Sequence, residues 1–174
     1  MVKVAVLVKM APDVAQLKID PATQAPKLDG LPWKVSDFDK HAVEAAVKLK
    51  EAGQVTSVWA YTYNAGPNGA NLIKEPLAMG CDEAVVITGP ETDGRGTAKV
   101  LAAAIQADGG ADLVFGATES LDRVAGEVVL RVAAELGIPS AYNTQKIEGV
   151  AGGKLTAVRD ADTSEKIEVS LPAA

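Results

Sequence analysis

The chain has one cysteine, one histidine, two phenylalanines and no apolar run long enough to cross a bilayer. A single cysteine, Cys81, excludes an intramolecular disulfide. With His41 as the only histidine, no zinc site of ordinary composition can be assembled either. Asp82 and Glu83 follow Cys81 and are expected to raise its pKa, so the thiol is read as a small apolar plug. His41 has no identifiable serine or cysteine partner and falls inside a helical pattern, which assigns it to packing. Basic residues are outnumbered, 17 against 23, and the net charge of −6 leaves no footprint for a phosphate backbone, so nucleic acid is not an expected partner. Met1 leads straight into a strand pattern without a leader signature; membrane insertion is not expected, and the expected location is cytoplasmic.

What is present is material for one core. At 48% hydrophobic, 174 residues suffice for a single domain of ordinary size. Val2, Val4, Val6 and Val8 form a β-branched run too apolar for a one-sided sheet, hence a buried parallel strand. The loop from Lys9 to Asp13 then lies at the carboxyl end of that strand, the edge where open α/β sheets bind ligands. From Lys18 to Trp33 the chain is broken by Pro21, Pro26, Gly30 and Pro32, an excursion before the first helix.

That helix begins at an S-x-x-D capping box, Ser36 with Asp39, continues through Ala42, Val43, Ala46, Val47 and Leu49 at helical spacing, and ends at Gly53. Strands are expected over 55–61, 83–87 and 112–116, and helices over 70–79, 97–107 and 123–136. Pro76 should bend the second helix and Gly80 should close it in a left-handed cap. This alternation predicts an α/β fold: a Rossmann-like open, mostly parallel sheet with helices on both faces. Short strands over 141–147, 155–159 and 167–171 add a small antiparallel C-terminal extension. No linker divides the chain, so 1–174 reads as one domain.

The segment FGATESLDRVAGEVV leaves the fourth strand through a glycine and small hydroxylated residues into a helix, a pattern suited to a phosphate. Gly116 permits close approach, Thr118 and Ser120 can donate hydrogen bonds, free N–H groups at the helix start add a positive dipole, and Arg123 adds charge. Neither G-x-G-x-x-G nor a P-loop lysine is present, and the segment reads equally as a turn capped by Asp122. Lys9 and Asp13 flank a proline in the first loop, placed to touch a ribose or phosphate. Asp37, Phe38 and Asp39 either reach the same edge or cap the helix, and Tyr63 with Asn64 completes the rim. Three loops are thus expected to converge. Glu119, Asp122 and Glu127 are assigned to solvation and capping, with no metal site, and no nucleophile–base pair supports hydrolysis.

VLVKMAPD, DFDKHAVEAAVKLKE, EPLAMGCDEAVVI, DLVFGATESLD, AELGIPSAYNTQKIE and KIEVSLPAA, in that order, resemble the beta subunit of electron transfer flavoproteins. The resemblance spans essentially the whole chain. It implies an adenine nucleotide alpha hydrolase-like domain that pairs with a flavin-carrying alpha subunit and holds AMP, or FAD in electron-bifurcating members. Such a complex shuttles electrons from flavin-dependent dehydrogenases without side-chain catalysis. By position, the resemblance places Leu7 and Lys9 beside the adenosine, Ser36, Asp37, Phe38 and Asp39 in the rim, and Asn64 over it. The phosphate would rest on Gly116, Thr118, Ser120, Asp122, Arg123, Gly126 and Glu127.

The chain departs from the family's pattern at Ser36 and Asp37, where Asn-Pro is usual, and at Glu127, where an amide is usual and a carboxylate would repel phosphate unless turned away. Against the family's pattern, the 174 residues are also expected to lack the C-terminal arm that supports the flavin domain and recognises dehydrogenases. Two other resemblances remain open: a stand-alone nucleotide-binding regulator akin to universal stress proteins, and an ATP-cleaving hydrolase of the same superfamily.

Overall fold

The structure, a computed structural model, describes all residues from Met1 to Ala174. In chain order its elements are β1 (Lys3–Leu7), β2 (Met10–Pro12), a 3-10 turn (Val14–Gln16), β3 (Lys18–Ile19), β4 (Pro26–Lys27), β5 (Trp33–Val35) and α1 (Asp37–Glu51). There follow β6 (Ser57–Tyr63), α2 (Gly69–Leu72), α3 (Lys74–Met79), β7 (Glu83–Ile87), α4 (Gly94–Ala107), β8 (Leu113–Phe115) and α5 (Val128–Leu136). The chain closes with β9 (Thr144–Ala151), β10 (Lys154–Asp160) and β11 (Ser164–Ser170).

A four-stranded sheet in the order β7-β6-β1-β8 forms the centre, and all its pairs are parallel. β1 shows why it is wholly apolar after Lys3: Val4 and Val6 enter one core with Val43, Ala46 and Val47 of α1, while Ala5 and Leu7 enter a second with Ala98, Leu101, Ile105 and Val132 of α4 and α5. A strand covered by helices on both faces has no wet side, so the period-2 alternation of a surface strand is lost. The expected α/β architecture is the one observed. The antiparallel extension, ordered β11-β10-β9, sends Val150 and Leu155 into the α1-side core. Ala173 then returns to form a parallel bridge with Leu113 at the free edge of β8.

Several boundaries differ from the sequence expectation, each for a local reason. The helix expected over 70–79 breaks at Ile73 into α2 and α3, because Pro76 has no N–H for the Leu72 carbonyl. Gly80 does cap it in the left-handed region, at φ 119°. α4 starts three residues early because Asp93 accepts a 2.8 Å hydrogen bond from the Gly96 amide. α5 starts five residues late, since Val124 at φ 54° and Gly126 at φ 59° leave the right-handed region. The second, third and C-terminal strands lie within a few residues of their expected positions. His41 is solvent-exposed on α1, which corrects its assignment to packing. Cys81 is buried as expected, and its pKa is pushed up to about 11; burial is the main cause, with Asp82 a lesser one and no part for Glu83.

Candidate functional site

The turns leaving β1, β6, β7 and β8 open at one edge into a cavity of about 350 Å3, within the roughly 300–1,000 Å3 of typical small-molecule pockets. Leu7, Val8, Leu101, Val128 and Val129 supply apolar wall. Lys9, Asp39, Asn64, Ser120, Asp122 and Arg123 supply polar groups.

The capping box predicted at the start of α1 is not made, and its failure organises the site. The Ser36 Oγ is buried without a hydrogen-bond partner. Asp39, only 6% exposed, turns toward the first loop and accepts a 2.7 Å hydrogen bond from the Lys9 amide. The Ala117 amide, in the turn after β8, also favours the charged carboxylate. One carboxylate thus ties the start of α1 to the turn after β1 and lies beside the turn after β8. Burial pushes its pKa up to about 7, against the opposing pull of those two N–H groups and of Lys9.

The Lys9 ammonium completes a second tie, lying 2.6 and 2.8 Å from the two Asp122 oxygens. Burial acts to raise the Asp122 pKa, but the Lys9 ammonium, helped by the Ser120 hydroxyl, outweighs it and holds the carboxyl below the usual range. Between these ties the loop after β8 closes on itself. A Cβ on Gly126 would collide with the Thr118 carbonyl oxygen, and its φ of 59° also favours glycine. Val124 sits at φ 54° although it is β-branched, which stores strain of about 1–3 kcal/mol in this loop.

A family model described as the electron transfer flavoprotein domain matches residues 28–174. The chain belongs to the electron transfer flavoprotein family. It is 34% identical to the electron transfer flavoprotein subunit beta of Thermoanaerobacterium thermosaccharolyticum, over 96% of this chain and 64% of that protein. To the same subunit of Megasphaera elsdenii it is 33% identical, over 88% of this chain and 60% of that protein. It is also 30% identical to the caffeyl-CoA reductase-Etf complex subunit CarD of Acetobacterium woodii, over 98% of this chain and 66% of that protein. The chain therefore spans only 60–66% of the length of these curated relatives. The family description and the beta-subunit names denote electron transfer.

In this member of the electron transfer flavoprotein family, eleven of the residues that the sequence assigned to the site line the one cavity: Leu7, Lys9, Asp39, Tyr63, Asn64, Gly116, Ser120, Asp122, Arg123, Gly126 and Glu127. Ser36 is fully buried and lines neither this cavity nor its neighbour. Asp37 faces elsewhere, paired with Lys34 at 2.6 Å and Lys40 at 3.3 Å. Phe38 and Thr118 line a second hollow of about 260 Å3 on the other side of the β8 turn, with Leu130, Tyr142 and Lys146. Asp13 caps the 3-10 turn instead of facing the cavity.

Some roles differ from those the sequence suggested. The space left by the missing Gly116 side chain is filled by Val129, 3.1 Å from a built Cβ, and by Leu7 at 3.7 Å, so this glycine serves packing of β8 against α5. Asn64 braces the neighbouring loop, its Oδ1 accepting a 3.0 Å hydrogen bond from the Gly89 amide. Glu127 is engaged by Arg131, whose Nε and terminal nitrogen donate at 2.9 and 2.8 Å. Sequence reading missed Trp33 and the whole β7 turn, Glu91 to Gly94. The signal for the latter was available: Asp93 followed by Gly-x-Gly is a helix start at a strand's carboxyl end.

Proposed function

We propose that the chain acts as an electron transfer flavoprotein beta-type subunit that holds an adenine nucleotide in the cavity at the sheet's carboxyl edge. The observation that carries this reading is the convergence of four strand exits on a single adenosine-sized hollow in a member of this family. Leu7, Val8 and Val129 would flank the base and ribose, and Ser120, Arg123 and Lys9 would face the phosphate. The ligand is AMP, or FAD as in bifurcating members.

On the same reading the chain pairs with a flavin-carrying alpha subunit, and the complex accepts electrons from flavin-dependent dehydrogenases in the cytoplasm. The flavin supplies the redox chemistry when bound. This chain's residues bind, orient and brace: Asp39 holds the start of α1 to the turn after β1, while the apolar wall of β1 and α5 excludes water from the ligand's inner face. No side chain here is assigned a catalytic step.

Denaturing the purified protein should release an adenine chromophore, and the stripped protein should bind AMP or FAD in a titration. Protein that releases none and binds neither would refute the nucleotide part of the proposal. Failure to co-purify with a co-expressed alpha subunit would refute the pairing.

A further inference from the structure

The cavity is more acidic than a nucleotide site needs. Its walls carry Asp39, Glu91, Asp93, Glu119, Asp122 and Glu127, and among basic residues only Lys9 and Arg123. Lys9 is already satisfied by both oxygens of Asp122, at 2.6 and 2.8 Å. The two ends of this pair are held differently. The Lys9 backbone is pinned by Asp39 and by a 2.9 Å hydrogen bond from the Ser36 amide to the Lys9 carbonyl. Asp122 belongs to an irregular loop that contains the strained Val124 and runs without helix or strand from Gly116 to Glu127.

We propose that Asp122 is an internal counter-ion that occupies the anion position at Lys9 and thereby sets the site's preference among adenine ligands. An uncharged nucleoside enters with the pair intact. A phosphorylated ligand reaches Lys9 only by displacing the Asp122 carboxylate, and then lies among the remaining carboxylates of the wall. Asp122 is thus a specificity-determining residue that acts against the phosphate, whereas position in the loop alone would make it a phosphate support. This inference rests on the adenine-binding reading above and deepens it.

Isothermal titration of the full chain with adenosine and with AMP tests it, the readout being the ratio of the two affinities. Asp122→Asn keeps the side chain's shape and removes its charge. It should raise the AMP-to-adenosine ratio by about tenfold or more, equivalent to about 1.4 kcal/mol. Glu119→Gln removes a charge from the same wall but no bond to Lys9, and should raise the ratio by no more than about threefold. Lys9→Gln, a second variant independent of the loop, should lower the ratio.

A ratio that stays level or falls in Asp122→Asn overturns the proposal, as does an equal rise in Glu119→Gln, which would reflect the general field of the wall. Should Asp122→Asn fail to fold, an undiminished ratio in Lys9→Gln overturns it instead. Wild-type protein that binds adenosine while the ratios disobey these expectations leaves the parent reading standing. If neither ligand binds wild type or any variant, the parent reading falls and this inference falls with it.

Discussion

The hollows on either side of the β8 turn share Gly116, Ala117, Gly126 and Val129 in their walls, yet one is lined by six carboxylate residues and the other by none. The acidic hollow is built from strand exits, where polar loop residues are gathered by the topology of a parallel sheet. The second is built from packing: Phe38 and Ala42 of α1, Leu130 of α5, and Tyr142 to Ile147 where the C-terminal extension approaches. One thin loop separates a hydrogen-bonded, acidic chamber from a mostly apolar one without carboxylate side chains. Its conformation is therefore the feature on which the difference depends.

Substitutions in that loop should break the distinction most severely. Gly126→Ala places a methyl group against the Thr118 carbonyl and forces a left-handed backbone on alanine. The expected loss is about 2–4 kcal/mol in urea unfolding, with ligand binding abolished. A loss below about 0.5 kcal/mol would mean that the loop does not close at Gly126.

Asp39→Ala comes next, because it leaves the Lys9 amide without its acceptor; about 1–3 kcal/mol of stability should go. Asp39→Asn separates the charge from the hydrogen bond. The native carboxyl holds its proton up to about pH 7, whereas the unfolded group releases it near 3.8. Between those values the native state binds the extra proton, so wild-type stability falls as pH rises, by at most about 1.4 kcal/mol per pH unit. The asparagine variant lacks this slope, so its stability relative to wild type should improve from pH 4 to pH 7. A difference that is constant with pH would show that Asp39 is ionised throughout.

Val124→Gly should move the other way. Relieving a β-branched residue at φ 54° gains about 0.5–1 kcal/mol, net of glycine's entropy in the unfolded chain. Lower melting temperature in this variant would indicate that the valine side chain contributes packing that outweighs the strain.

How far all this was legible in the sequence differs by residue. β1 was readable because burial on both faces leaves an unbroken apolar run from Val4 to Val8, and the helices because α1 and α4 keep apolar residues at helical spacing. Asp39 was not, since an S-x-x-D pattern fits a helix cap as well as it fits a carboxylate aimed at an amide 30 residues away. Sequence spacing measures local geometry, and this choice is made by tertiary approach of the β1 turn. Gly116 is a similar case: the pattern marked a close approach but could not say that Val129 also packs there. The β8 turn lies at the sheet edge expected for it and lines the cavity, while its helix entry was drawn too early. Nothing in Arg123 to Glu127 except Gly126 announces a left-handed backbone, and Val124 has the opposite preference.

The smallest expected effect tests whether the two chambers are independent. Lys146→Glu introduces a carboxylate into the wall that has none, behind the β8 turn as seen from the acidic cavity. Exposed charge is screened over about 10 Å at ordinary salt, so AMP affinity should change by less than about twofold. A larger change that persists at high salt cannot be Coulombic. It would mean that the shared segment of Gly116, Ala117 and Gly126 shifts as a unit, so that occupancy of the apolar hollow is read out in the acidic one.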